Sequence, residues 1–256
     1  MIKIRNILAT VVLLILATTS CAYPAPCTIV VGSSLASNHW PKVLNQDGTE
    51  NSNSRNPLIK GNYKGFCNLL SREFSKRLIS CPAEALAMST DFELTLMDKS
   101  TIKASGYLKQ FDKGVHECTW NGTLLADSLI ISLVNDGPAS IPETKRLIDK
   151  AKSLGIANII VQAFPSMPNY ELEKSVAITK HGDYWGGVLQ LLLATPPTQD
   201  QFNQLKDYHK SELEFYPGVT SYFDFYKNDY VTIDGAHPIL RSQRLAVQEI
   251  LYKLYE

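Results

Sequence analysis

The chain has 256 residues, of which 45% are hydrophobic, 25 are basic and 25 are acidic, so its formal net charge is zero. A protein without net charge has no long-range field that would select nucleic acid or an anionic membrane, and we expect neither partner. The hydrophobic content is ordinary for a globular fold, and the length is sufficient for one sizeable core.

The first residues have the organisation of a secretory signal peptide. Lys3 and Arg5 precede an unbroken apolar run over residues 7–16, and small residues follow it. This run is well short of the ~20 residues that a membrane-spanning helix needs. We therefore expect a signal peptide over residues 1–22, a single domain over residues 23–256, and no membrane span.

Two processing routes fit the end of this signal. Cleavage after Ala22 follows a small-x-small pattern and is the favoured route, while lipidation of Cys21 as in a bacterial lipoprotein stays open as the alternative. Either route predicts a secreted, periplasmic or cell-envelope protein.

Four cysteines remain under both routes: Cys27, Cys67, Cys81 and Cys118. An even number in an exported chain predicts two disulfides, with three connectivities that the sequence does not separate. Apart from the isolated pair of His116 and Cys118, the spacing of cysteines and histidines is not that of a zinc site. We expect neither a metal nor another cofactor.

Strands alternate with helices along the mature chain. Short apolar runs predict strands that are buried on both faces of a sheet over residues 28–31 and 129–134, and further strands are predicted over residues 157–163 and 219–225. Apolar residues at helical spacing predict helices over residues 63–79, 140–155, 198–214 and 240–255. The alternation indicates βαβ units and an α/β fold with a parallel sheet between helical layers.

Local signals refine this pattern. Ser140 and Glu143 have the spacing of a capping box at the start of their helix. Residues 45–62 are rich in polar residues and predict a surface loop, and residues 84–126 show no clear pattern apart from a short strand over residues 101–104.

The side chains of acyl-transfer chemistry occur at three points in this pattern. Ser34 lies in a Gly-Ser-Ser turn directly after the first predicted strand, Asn135 follows the second one, and Asp234 and His237 lie three residues apart before the last helix. At the carboxyl edge of a parallel sheet a serine hydroxyl would be exposed to a ligand. A carboxylate near an imidazole fixes its tautomer, so that the other ring nitrogen accepts the serine proton.

These segments, Gly32-Ser33-Ser34-Leu35, Leu133-Val134-Asn135-Asp136 and Asp234-Gly235-Ala236-His237-Pro238, resemble the first, third and fifth blocks of the SGNH or GDSL hydrolase family. The resemblance covers the layout of the whole mature chain, although only the short blocks are specific. It implies a three-layer α/β/α sandwich with a mostly parallel, flavodoxin-like central sheet. It also implies that Ser34 is the nucleophile, His237 the general base and Asp234 its orienting carboxylate, with the Ser34 N–H and the Asn135 side chain as oxyanion donors.

A further oxyanion donor of the family is a glycine N–H in the second block. Gly106 is our choice, because a strand over residues 101–104 precedes it and one helix length separates it from the next strand, while Gly114 and Gly122 remain candidates. The chain departs from the family pattern at Ser33, which replaces the usual Asp, and at Leu133, which replaces the usual Gly. Leu133 is expected to add bulk beside the oxyanion pocket and so to favour short acyl chains.

The sequence therefore predicts an exported serine ester hydrolase acting on small-molecule, lipid or glycan esters with short acyl chains. The alternatives are a non-catalytic glycan- or protein-binding envelope protein on the same scaffold, and an acyltransferase with the same triad. We expect the remaining histidines to be surface or hydrogen-bonded polar residues: His39, His116, His181 and His209.

Overall fold

The computed structural model describes residues 24–36, 42–50, 65–74, 76–133, 138–163, 169–181, 197–224, 237 and 239–255. The strands are β1 Cys27–Val31, β2 Lys42–Leu44, β3 Leu78–Ser80, β4 Phe92–Thr95, β5 Thr101–Ala104, β6 Thr119–Trp120, β7 Thr123–Leu124, β8 Ala126–Ser132, β9 Asn158–Gln162 and β10 Ser221–Phe223. The helices are α1 Phe66–Glu73, α2 Tyr107–Glu117, α3 Ser140–Ser153, α4 Tyr170–His181, α5 Gln199–Leu213 and α6 Leu240–Tyr255.

Five of these strands form a central sheet in the order β3-β1-β8-β9-β10. Every pair in it is parallel. Counted along the chain, the order is 2-1-3-4-5, which is the flavodoxin-like order. In such a sheet the direction of strand addition reverses beside the first strand, so a crevice opens between β1 and β8 at the carboxyl edge.

Helices cover both faces of this sheet. Alternate residues of β1, β8 and β9 point to opposite faces, and both sets include buried apolar residues because both faces are buried. The same strands also bury the polar side chains of Thr28, Ser128, Ser132 and Gln162. One face packs against α2, α3 and α5, and the other packs against α1 and α6. The expected three-layer α/β/α architecture is thereby confirmed.

Most predicted elements are found within a few residues of their expected bounds. The strands predicted over residues 28–31, 129–134, 157–163 and 219–225 correspond to β1, β8, β9 and β10. The predicted helix over residues 198–214 is α5, and its capping box is complete: the Gln201 N–H donates to Thr198 Oγ1, and the Thr198 N–H donates to Gln201 Oε1.

The predicted helix over residues 63–79 is too long at its C-terminal end. α1 ends at Glu73, and residues 78–80 form β3, which pairs with β1 at the edge of the sheet. Arg77, at the junction, binds Asp127 and donates to Thr28 Oγ1 at 2.9 Å. We infer that the strand pairing of residues 78–80 and the contacts of the half-buried Arg77 favour a strand here, although the spacing of the apolar side chains favours a helix.

The poorly patterned part of the chain contributes β4 and β5 to a separate antiparallel sheet, in the order β2-β5-β4, which β2 completes. The short strand predicted over residues 101–104 is β5, but it belongs to this sheet and not to the central one. Gly106 was selected because a parallel strand was expected before it and a helix after it. The strand before it is antiparallel, so that part of the prediction is wrong, although α2 does begin directly after Gly106.

Two disulfides are present, Cys27–Cys118 and Cys67–Cys81, with Cα atoms 5.8 and 6.2 Å apart. Disulfides persist in oxidising compartments, so this pairing fits an extracellular or periplasmic protein. Among the described residues no helix has both the length and the apolar character needed to cross a membrane.

Candidate active site

The turn after β1 begins at Gly32, where only glycine fits. Its φ is +148°, and a Cβ at this position would lie 2.7 Å from Ser132 Cβ and 2.8 Å from the Ser132 carbonyl oxygen. Because Ser132 is the last residue of β8, the chain leaves β1 in close contact with the neighbouring strand. The turn therefore begins at the crevice between β1 and β8, where α/β sheets bind ligands.

Backbone hydrogen bonds hold the rest of this turn. The Ala36 N–H donates to the Ser33 carbonyl at 3.0 Å, which closes the turn on itself. The first two N–H groups of α1 then donate into it, Phe66 to the Leu35 carbonyl at 3.3 Å and Cys67 to the Ala36 carbonyl at 3.0 Å. The N-terminal amides of a helix lack partners within the helix, so the turn stabilises α1 while α1 fixes the turn.

Ser34 lies within this turn and meets His237. The Ser34 Oγ is 2.9 Å from His237 Nε2, although the two residues are 203 positions apart. The serine is half-buried, and the histidine is 9% exposed. When Nε2 accepts a hydrogen bond from the hydroxyl, the neutral ring carries its proton on Nδ1. This distance is the one at which an imidazole acts as a general base toward a hydroxyl.

Two other predicted site residues, Asp234 and Asn135, lie outside the described residues. Their roles as orienting carboxylate and oxyanion donor stay predictions, as does the role of the Ser34 N–H.

Gly106 is described, and its N–H is engaged. It donates to Asp91 Oδ1 at 3.1 Å, and the same carboxylate forms an ion pair with Lys109. The hydrogen bond from Lys109 and then the one from Gly106 lower the pKa of Asp91 below its usual value. Gly106 would have to exchange this carboxylate for a substrate oxygen in order to act as an oxyanion donor.

The two other candidate glycines have structural explanations. Gly114 lies inside α2, where an added Cβ would be 2.5 Å from Ile29 Cγ2, so it allows the helix to approach β1 closely. Asn121 and Gly122 both have positive φ, 48° and 78°, in the hairpin between β6 and β7. That is the type I′ turn for which an Asn-Gly pair is preferred.

Leu133 is 1% exposed and belongs to the apolar cluster with Tyr107 and Ile141, under the face that α2 and α3 cover. Its burial in this cluster does not by itself support a role in narrowing the acyl site. The preference for short acyl chains stays a prediction.

A second serine–histidine pair is present and is fully buried. Ser140 Oγ contacts His209 Nε2, and His209 Nδ1 lies 2.8 Å from the Leu205 carbonyl oxygen. Neither residue is exposed, so no substrate reaches this pair, which joins α3 to α5. The predicted capping box at Ser140 is wrong, because Ser140 already lies within the helix and its hydroxyl bonds to His209. The interpretation of His209 as a satisfied polar residue is confirmed.

Sequence reasoning missed two residues beside the turn, Gln110 and Glu84. Gln110 Oε1 accepts the Gly32 N–H at 2.8 Å, and the Glu84 N–H donates to the Gly32 carbonyl at 3.2 Å. The only local signal was that Gln110 interrupts the apolar face of α2 formed by Tyr107 and Phe111.

Within the described ranges no group of three or more histidine, cysteine or acidic side chains is arranged to hold a metal ion. No model of a known protein family matches the chain, and no curated protein matches it. The function of this protein must therefore be inferred from the geometry of the site and from its short motifs.

Proposed function

We propose that this protein is a serine ester hydrolase with Ser34 as nucleophile and His237 as general base. The observation that carries the proposal is the 2.9 Å contact between Ser34 Oγ and His237 Nε2. It lies at the carboxyl edge of the parallel sheet, beside the point at which strand order reverses. The buried Ser140–His209 pair has the same residue types without access to solvent, so burial and location distinguish the two pairs.

In the proposed reaction, Ser34 Oγ forms a bond to the carbonyl carbon of an ester while His237 Nε2 accepts the hydroxyl proton. The tetrahedral intermediate breaks the ester C–O bond, and His237 returns the proton to the leaving alcohol. A water molecule, deprotonated by the same nitrogen, then attacks the acyl-enzyme, which releases the acid and restores Ser34.

The remaining roles of this proposal follow from the motif. Asp234 holds the Nδ1–H of His237, and the side chain of Asn135 donates to the oxyanion, which is typically worth about 3 kcal/mol of barrier. Acyl esters of glycans, lipids or small molecules outside the cytoplasm are the proposed substrates, because the disulfides fit an oxidising compartment.

The first prediction concerns the nucleophile. With a short-chain aryl ester as substrate, Ser34→Ala is expected to lower kcat/KM at least about 10³-fold, because the covalent step loses its nucleophile. A fluorophosphonate probe should label the wild-type protein at Ser34 and leave this variant unlabelled. Ser140→Ala is the matched control, since it removes the hydroxyl of the buried pair and should keep both turnover and labelling.

The base gives a second measurement on the same substrate. The wild-type rate should rise with pH as the imidazole loses its proton, and this limb should be absent from the residual rate of His237→Ala. Equal turnover by wild type and Ser34→Ala would overturn the assignment. A folded chain that binds glycan without labelling would instead indicate a binding protein, and acyl transfer to an added sugar would indicate a transferase.

A further inference from the structure

Helix α2 packs against β1 in a fixed register. Near its C-terminal end Cys118 is bonded to Cys27, and one turn earlier Gly114 lies against Ile29. Four helical residues rise about 6 Å and two strand residues about 6.6 Å, so the two elements remain aligned along their length. The glycine allows this close approach, because any larger residue would collide with the isoleucine side chain.

One turn further toward the start of α2, the same face presents Gln110 to the end of β1. Its Oε1 accepts the Gly32 N–H at 2.8 Å, and its Nε2 donates to the Ser105 carbonyl at 2.7 Å. The residue is 1% exposed. A buried glutamine that uses both ends of its carboxamide on backbone groups holds two segments at a defined separation, which an apolar residue of the same size would not do.

These contacts belong to a closed set that we call the Gly32 network, formed by Gly32, Glu84, Ser105 and Gln110. Beyond the two bonds of the glutamine, the Ser105 N–H donates to Glu84 Oε2 at 2.9 Å. The Glu84 N–H donates to the Gly32 carbonyl at 3.2 Å and returns to the starting residue. Both backbone polar groups of Gly32 are thus fixed by side chains or segments that lie outside the central sheet.

The position of Gly32 determines that of Ser34. Only one residue separates them, and Gly32 has a φ of +148° that no other residue type adopts readily. A shift of Gly32 would move the Ser34 hydroxyl relative to His237 Nε2. Reacting groups must be held within about 0.5 Å of the productive geometry, and an error of about 1 Å costs roughly 10²-fold in rate.

We propose that Gln110 is a positioning residue for catalysis, which fixes the backbone of Gly32 and thereby aligns the Ser34 hydroxyl with His237. The residue does not touch the substrate. This inference rests on the proposed function. It adds that efficient catalysis requires Gln110 in addition to Ser34 and His237.

The test is the kinetics of Gln110→Met, which has nearly the same volume and forms neither hydrogen bond. We expect kcat on a short-chain aryl ester to fall about 30- to 100-fold with KM changed less than about twofold, because alignment is lost while the binding surface is kept. The rate of fluorophosphonate labelling at Ser34 should fall in the same proportion.

Thr144→Val is the matched control for a general loss of stability. Its hydroxyl is buried and donates to the Ser140 carbonyl at 2.8 Å, so the variant also loses a buried hydrogen bond from a packed helix. It should lower the thermal midpoint without lowering kcat. If Gln110→Met folds and is labelled as fast as the wild type, or loses no more kcat than Thr144→Val, the positioning role is overturned.

Glu84→Ala opens the Gly32 network at a half-buried position and decides the question if Gln110→Met does not fold. A drop in kcat of about fivefold or more at constant KM supports the role, and an unchanged kcat overturns it. A wild-type protein that neither hydrolyses esters nor is labelled would overturn the proposed function itself. An active and labelled wild type separates that failure from a failure of the positioning role.

Discussion

Ser34 and His237 were predicted to meet because Ser34 follows the end of a strand and His237 precedes the start of a helix. A serine after a parallel strand and a histidine before a helix both reach the carboxyl edge of the sheet, so the motif spacing and the α/β pattern were sufficient for this contact. The Gly32 network was not predictable, because Gln110 lies 78 residues from the glycine that it binds. Nothing in the local sequence specifies such a long-range partner.

The predicted capping box at Ser140 is wrong for a different reason: a contact with another helix replaces a predicted local hydrogen bond. The spacing of Ser140 and Glu143 is that of a capping box, but the Ser140 hydroxyl forms a hydrogen bond with the buried imidazole of His209 on α5 instead. Local hydrogen-bond patterns are predictable only where no tertiary partner competes, as at Thr198 on the surface.

Asp91 gives a prediction about stability and pH. Its pKa is held below the usual 3.8, mainly by Lys109 and then by the Gly106 N–H, so its charged form is favoured in the folded state. A lowered folded-state pKa contributes stability above the unfolded-state pKa, and this contribution is lost as pH falls through the folded-state value.

We therefore expect Asp91→Asn to be less stable than the wild type at pH 7, by less than about 1 kcal/mol because the carboxylate is half exposed. The difference should shrink toward zero as the pH falls through the folded-state pKa of Asp91. Urea unfolding across this pH range measures it. Glu93→Gln, which removes an exposed ion pair with Lys103, provides a comparison, and a difference for Asp91→Asn that grows on acidification would contradict the explanation.

Among the strands, β1, β8 and β9 could be predicted from the sequence because they are buried on both faces of the sheet. Each contains a run of consecutive apolar residues without alternation, which is typical of central parallel strands. The strand β4 lacks this signal because its residues alternate between exposed and partly buried, and β5 lacks it because only Ile102 and Ala104 of its four residues are buried. The strand β3 is a short edge strand of three residues. Elements of this kind are defined by their partners, which a sequence pattern does not identify.

The N-terminus of α5 gives a prediction at this scale. Thr198→Ala removes the acceptor for the Gln201 N–H, and we expect a loss of about 1 kcal/mol in the free energy of unfolding with no change in esterase activity. Thr179→Ala makes the same chemical change inside α4, where the hydroxyl donates to the Ser175 carbonyl, and should change stability by less than about 0.5 kcal/mol. Equal losses in the two variants, measured by urea unfolding, would show that capping is not the cause.

At the scale of the whole molecule, the two disulfides enclose very different lengths of chain. Cys27–Cys118 spans 91 residues and Cys67–Cys81 spans 14. If each acts by restricting the unfolded chain, the first stabilises by about 4.5 kcal/mol and the second by about 3 kcal/mol. The sequence predicted two disulfides, but this connectivity required the fold.

We expect the double variant Cys27→Ala/Cys118→Ala to lose more stability than Cys67→Ala/Cys81→Ala in denaturant unfolding. Esterase activity should show the reverse order. Cys67–Cys81 joins the start of α1, whose amides hold the Ser34 turn, to the segment that leads to Glu84. A larger loss of kcat in the Cys27–Cys118 variant, measured where both variants are folded, would contradict this division.

The separation of 203 positions between Ser34 and His237 has a consequence for synthesis. The strand that leads to the serine is translated long before the histidine, which precedes α6, and α6 packs on α1 on the same face of the sheet. A nascent chain that has not yet reached His237 therefore holds the hydroxyl without its base. On the proposed chemistry, a ribosome-bound chain in which His237 has not yet been synthesised is inert toward esters, and reactivity arises only after the histidine has packed beside Ser34.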